Sequence, residues 1–142
     1  MLTYGDRVET QLKRILVVDD FAPWRRFLST VLSVAPEWQV SGEVATGTDA
    51  LTQAQELQPD LVLLDIGLPD IDGLEVARQL KAIAPEAKIV FLTAESSSDL
   101  VKAALATGAL GYVIKSQLVC ELLPALASVF SGRRFISQGI TL

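Results

Sequence analysis

The 142 residues are 50% apolar and 20% charged with one cysteine, Cys120, the profile of one globular domain that needs no disulfide framework or zinc cage and suits a reducing cytoplasm. Twelve Lys and Arg against seventeen Asp and Glu leave a net charge of −5, so the basic footprint that nucleic acid demands is missing, and no apolar run is long enough to predict a membrane span or a secretory signal. Histidine is absent, which excludes histidine metal ligands, Ser-His-Asp and Cys-His nucleophiles and imidazole proton relays, and leaves the chemistry to carboxylates, lysine, hydroxyls and the backbone.

Residues 1–12 have no period and are expected to form a mobile N-terminal tail ahead of one domain spanning 13–132. The run from Ile15 to Val18, closed by Asp19 and Asp20, reads as a strand buried on both faces. Further strands are expected at Val40–Ala45, Leu61–Leu64, Lys88–Leu92 and Gly111–Ile114. Trp24, Phe27, Leu28, Val31, Leu32 and Ala35 form a helical stripe ended by Pro36. Ala50, Leu51, Ala54 and Leu57 form a second stripe before Pro59, and Val76, Ala77, Leu80, Ile83 and Ala84 a third before Pro85. A fourth helix is predicted over Ser97–Thr107 with Gly108 in its C-terminal cap. The fifth carries Val119, Leu122, Leu123, Leu126, Ala127 and Phe130 and ends at Gly132, with Pro124 inside it predicting a kink or a late start. Residues 133–142 read as an exit segment. Strands alternating with helices give an α/β fold, a doubly wound five-stranded parallel sheet with five helices, whose ligands bind outside the carboxyl ends of the strands.

That edge collects Asp19 and Asp20 after the first strand, Asp65 after the third, Thr93 after the fourth and Lys115 after the fifth. With strands one and three adjacent, three carboxylates converge, and like charges about 4 Å apart repel by about 4 kcal/mol at an effective dielectric near 20. A hard divalent cation such as Mg2+ relieves this, whereas a site without His or Cys suits zinc or copper poorly. Lys115 and Thr93 beside the metal would face a tetrahedral anion, and a carboxylate can accept a phosphoryl group as an acyl phosphate. Asp65, alone at its strand end with Gly67 two residues on to let the backbone approach a ligand, is the best nucleophile.

The acidic pair in Val17-Val18-Asp19-Asp20, the Asp in Leu63-Leu64-Asp65-Ile66-Gly67-Leu68-Pro69-Asp70-Ile71-Asp72-Gly73, Thr93-Ala94 and Tyr112-Val113-Ile114-Lys115 together resemble the receiver domain of two-component response regulators, a flavodoxin-like or CheY-like (βα)5 fold. Ser116 after the lysine and the ending Gly132-Arg133-Arg134-Phe135-Ile136-Ser137 resemble the NarL/FixJ-type branch, whose output is a helix-turn-helix domain. The resemblance implies that Asp65 accepts phosphate from a sensor histidine kinase. It implies that Asp20, Asp65 and the Gly67 carbonyl hold Mg2+, with Asp19 assisting through water. Lys115 and the backbone of Gly67 and Ala94 would meet the phosphoryl group, and Thr93 and Tyr112 would form a switch in which Tyr112 buries as Thr93 moves inward. The face of helix four, strand five and helix five would then act on an output domain or a second copy.

Simpler readings stand beside these roles. Asp19 and Asp20 suit a turn and helix cap, Thr93 a cap for the helix that follows, Lys115 a solvated surface charge and Tyr112 a core position. Trp24, Trp38 and Cys120 read as packing residues. A haloacid-dehalogenase-like phosphatase would need a second acid where Gly67 stands, and flavodoxin-like cofactor binding would need a Ser/Thr/Gly-rich loop after the first strand. An unphosphorylated, receiver-shaped interaction module is the remaining alternative. The expectation is a self-phosphorylating switch without an external turnover substrate.

Overall fold

The computed structural model describes residues 12–142, so the tail expected over 1–12 lies, apart from Leu12, outside the described residues. In chain order the elements are β1 (Lys13–Val18), α1 (Ala22–Leu32), β2 (Trp38–Val44), α2 (Gly47–Leu57), β3 (Leu61–Leu64), α3 (Gly73–Ile83), β4 (Lys88–Thr93), α4 (Ser98–Ala106), β5 (Gly111–Ile114), α5 (Leu118–Phe130) and β6 (Phe135–Ile136). All strand pairs are parallel, in the order β2-β1-β3-β4-β5-β6. The expected adjacency of β1 and β3 holds, with Val18 beside Leu64.

Alternation along the strands sorts the core into two layers. Leu16, Val18, Val62, Leu64, Phe91 and Tyr112 pack against α2, α3 and α4. Ile15, Val17, Leu61, Leu63, Val90, Leu92 and Val113 pack against α1 and α5. Both faces of the central strands are therefore buried, which is why they read as unbroken apolar runs and not as alternating ones. Each fully buried Leu or Ile contributes about 1.5–3 kcal/mol of transfer free energy.

Helix starts follow from side-chain caps. Thr46, Asp72 and Ser97 accept hydrogen bonds from the backbone N–H groups of Asp49, Glu75 and Leu100 at the starts of α2, α3 and α4. Gly108 (φ +99°) and Gly132 (φ +86°) take the left-handed conformation after α4 and α5, as the stop signals predict.

Several expectations need correction. β2 begins at Trp38, two residues early, because that indole is buried edge-on against Phe130 with ring centroids 5.6 Å apart. In α5 the buried residues are Leu118, Leu122, Ala125, Leu126 and Val129, while Val119 is 74% exposed and Ala127 is also exposed. The helix is apolar almost all round, so its pattern does not fix which face turns inward. Cys120 is exposed and is not a packing residue. Pro124 sits within the helix on an exposed side, where water can satisfy the carbonyl its missing N–H leaves free. The late start expected at Pro124 is not found: the helix begins at Leu118, after a 3-10 turn over Lys115–Gln117, and runs through the proline.

The exit segment is also more structured than expected. Phe135 and Ile136 form β6 beside Gly111 and Tyr112, making the sheet six-stranded. A two-residue strand carries no readable period. Ser137 fastens it: its N–H donates to the Tyr112 carbonyl at 2.9 Å, and its hydroxyl donates to Glu121 Oε1 at 2.5 Å while accepting the Ile114 N–H at 2.8 Å.

Candidate functional site

Parallel strands in register deliver their carboxyl ends to one edge, and the loops there hold the side chains in place. The Asp19 N–H donates to the Val44 carbonyl at 3.1 Å, and the Asp65 N–H to the Val18 carbonyl at 3.0 Å. Each acid thus continues the ladder of the neighbouring strand by one residue. Carboxylate oxygens of Asp19, Asp20 and Asp65 all lie within 4.8 Å of one another. Asp19 and Asp65 are buried and Asp20 is exposed.

Lys115 enters this cluster from the end of β5. Its Nζ is 2.6 Å from Asp19 Oδ2 and 2.9 Å from Asp65 Oδ2. Asp65 Oδ1 accepts the Ile66 N–H at 2.7 Å, and Asp19 Oδ1 the Phe21 N–H at 2.9 Å. Burial pushes the Asp19 carboxyl above the usual carboxylate range despite Lys115 beside it. Burial alone would pull the Lys115 ammonium down, but its hydrogen bonds to Asp19 and Asp65 outweigh that and hold it above its ordinary value. Three carboxylates facing one ammonium leave negative charge over, and an all-oxygen donor set of this kind fits a hard cation such as Mg2+.

A crevice of about 370 Å³ opens beside the cluster, lined by Asp65, Gly67, Thr93, Ala94, Glu95 and Lys115 among others. The structure therefore brings together the residues that the sequence assigns to the anion site. Thr93 is buried, and its hydroxyl accepts the Glu95 N–H at 3.5 Å; the cap of α4 is Ser97, not Thr93. Tyr112 does not line the crevice. It is fully buried behind it, its hydroxyl donating to the Glu95 carbonyl at 2.8 Å. Burial, then the charges of Glu95 and Asp65, push its phenol up to about 12. The sequence reading has Tyr112 burying as the switch turns, whereas this structure already holds it inward.

The role given to Gly67 changes. Its φ is not positive, and an added Cβ would meet nothing within 4 Å, so backbone freedom is not what the position uses. Gly73 is the constrained glycine: a Cβ there would lie 2.7 Å from Ile66 Cα and closer still to the Asp65 carbonyl oxygen, and its N–H donates to the Ile66 carbonyl at 2.7 Å. The first turn of α3 thereby presses directly on the backbone of Asp65. Asp70 ties the same loop to α2 by accepting the N–H groups of Gly47 and Thr48 at 2.7 and 3.0 Å, and the Thr48 hydroxyl leads the interactions that hold its carboxyl well below the usual range. Arg25, also unassigned from sequence, donates to the Asp19 carbonyl at 2.5 Å and reaches Glu43 at 3.6 Å. A basic residue one turn after an acidic pair was the available signal.

An acidic cluster with one lysine at the carboxyl edge of a doubly wound parallel sheet is the arrangement of receiver-type domains, and the sequence matches that class. The chain belongs to the response regulator receiver domain family, whose model matches residues 15–127. It is 37% identical over 127 residues to the response regulator GacA of Pseudomonas viridiflava, covering 89% of this chain and 59% of that protein. The nitrate/nitrite response regulator protein NarL of Escherichia coli is 33% identical over the same shares. A crystal structure of a two-component response regulator of the LuxR family from Aurantimonas sp. SI85-9A1 superposes with a TM-score of 0.86 at 32% identity, covering 91% of this chain and 92% of that one. These relatives support the NarL/FixJ-type branch. The chain spans about three fifths of the length of the curated relatives it matches.

Proposed function

We propose that this domain is a phosphorylation-driven switch in which Asp65 takes a phosphoryl group from the phosphohistidine of a sensor kinase. The observation that carries the reading is the position of Asp65: at a strand end, on the crevice, with one oxygen on Lys115 and the other on the Ile66 N–H. In the transfer, an Asp65 oxygen attacks phosphorus, the P–O bond of an acyl phosphate forms as the P–N bond of the donor breaks, and imidazole leaves. Lys115 meets the charge on the phosphoryl oxygens, and the backbone of Gly67 and Ala94 borders the same crevice. Asp19, Asp20, Asp65 and the Gly67 carbonyl would hold Mg2+, which would neutralise carboxylate charge and let an anion approach.

Output runs through α4, β5 and α5. Thr93 and Tyr112 both reach Glu95, in the loop before α4, through its N–H and its carbonyl respectively, which supports a path from the crevice to that face. Because β6 covers the edge of β5, any output domain or second copy docking there meets β6 as well. The domain works on itself, with slow self-dephosphorylation and no external turnover substrate. Among the described residues no helix is long and apolar enough to cross a membrane; membership of the receiver family supports action in the cytoplasm, and the acidic balance argues against direct nucleic-acid contact by this chain.

The test is intact-mass measurement after incubation with Mg2+ and a small acyl phosphate. One added phosphoryl group is expected on the wild type, lost on chelation and absent in Asp65→Ala. Equal labelling of wild type and Asp65→Ala would overturn the reading.

A further inference from the structure

Lys115 has a third neighbour that the acid cluster does not explain. Its Nζ lies over the ring of Trp24, 5.2 Å from the centroid. An ammonium has three N–H donors, and two of its contacts are already assigned, to Asp19 and Asp65. The indole face supplies a further favourable contact and keeps water from that side, as the 21% exposure of the Lys115 side chain reflects. The ring is itself held: Phe27, one turn on in α1, lies 5.4 Å away in a tilted pair, and Trp24 packs on the core layer shared by α1 and α5. Its Nε1 is buried and has no hydrogen-bond partner among the described residues, so no polar anchor accounts for its orientation.

We propose that Trp24 is a positioning residue for Lys115, fixing the ammonium over Asp19 and Asp65. The proposal rests on the phosphoacceptor reading for its effect on transfer, but its geometric part does not. Without the ring, the four-carbon stem of Lys115 samples more of its rotamers, and the ammonium spends less time on the two carboxylates. Two consequences run in opposite directions. Phosphoryl transfer to Asp65 slows, because the cation is less often where the phosphoryl oxygens arrive. Mg2+ binds more tightly, because the lysine competes less for the same carboxylate oxygens. Damage to the fold alone would weaken both.

The experiment compares wild type, Trp24→Leu and Trp24→Phe, the last keeping an aromatic face without the indole N–H. Lys115 reactivity toward an acetylating reagent is read by peptide mass, with Lys13, Lys81 and Lys102 as internal references. Trp24→Leu should raise Lys115 labelling about three- to tenfold with the reference lysines unchanged, slow phosphorylation by a similar factor and tighten Mg2+ binding. Trp24→Phe should restore all three to within about twofold of wild type. The proposal is overturned if Trp24→Leu labels like wild type, if all lysines gain reactivity together, or if Trp24→Phe behaves as Trp24→Leu. Should the wild type take no phosphate, the phosphoacceptor reading fails, while lysine labelling and Mg2+ titration still decide the role of Trp24.

Discussion

Lys115 and Asp65, fifty residues apart in sequence, meet at 2.9 Å across the crevice. The same ammonium holds Asp19, so one side chain balances two buried carboxylates. Lys115→Met should therefore destabilise the domain by about 1–3 kcal/mol at neutral pH, because removing one partner leaves like charges unpaired at a partly exposed site. Added Mg2+ should recover more stability in the variant than in the wild type. Urea denaturation with and without Mg2+ measures both, and an equal Mg2+ increment in the two proteins would contradict the account.

Tyr112 supplies a pH-dependent contribution whose sign is set by its raised phenol. A folded pKa of about 12, against about 10 in the unfolded chain, means that the folded state keeps its proton longer. The stabilisation is fully present below pH 10 and is lost as pH rises through about 12. The difference in phenolate absorbance between wild type and Tyr112→Phe should rise near the higher value. A step near 10 in the folded protein would mean that the phenol is not held by burial and the Glu95 carbonyl.

Lifetime of the phosphoryl group should depend on the two side-chain positions flanking the crevice. Since a side chain at position 67 meets open space, Gly67→Arg should fold normally and slow dephosphorylation by lying over the phosphate. Glu95→Leu should slow it by removing an acceptor for the attacking water. Single-turnover decay tests this: unchanged half-lives with intact labelling would show that neither position governs access of water.

How much of this was legible in the chain depends on where each residue's information lies. Strands β3 and β5 match their predicted limits because short buried apolar runs bounded by Pro, Asp or Gly are local signals, and parallel topology then carries Asp19, Asp65, Thr93 and Lys115 to one edge. The inward face of α5 was legible in part: Leu122, Leu123, Leu126 and Phe130 pack inward as expected, but on a helix apolar on nearly every side the sequence does not separate them from the exposed Val119 and Ala127. β6 was not legible, because its pairing depends on Ser137 and Glu121 meeting across the crossover. Gly67 and Gly73 look alike in sequence; only the approach of α3 to the Asp65 carbonyl separates the free position from the constrained one.

β6 is tied to the site through β5. Ser137 bonds the Ile114 N–H, one residue before Lys115, and Gln138 donates its N–H to Glu121 at 3.0 Å. Phosphorylation, or a beryllium fluoride mimic, should change hydrogen exchange over residues 97–130 and 135–138 far more than over α1 and α2. Ser137→Ala should raise basal exchange in β5 and β6. Changes confined to residues 20–57 would place the output elsewhere.

Borohydride trapping reads directly whether the phosphoryl group rests on Asp65. Reduction converts an aspartyl phosphate to homoserine, releasing phosphate, and peptide sequencing locates the converted residue. After phosphorylation in the presence of Mg2+, the account predicts homoserine at position 65 and nowhere else. Homoserine at position 19 or 20, or no conversion in protein whose mass shows a phosphoryl group, would contradict it.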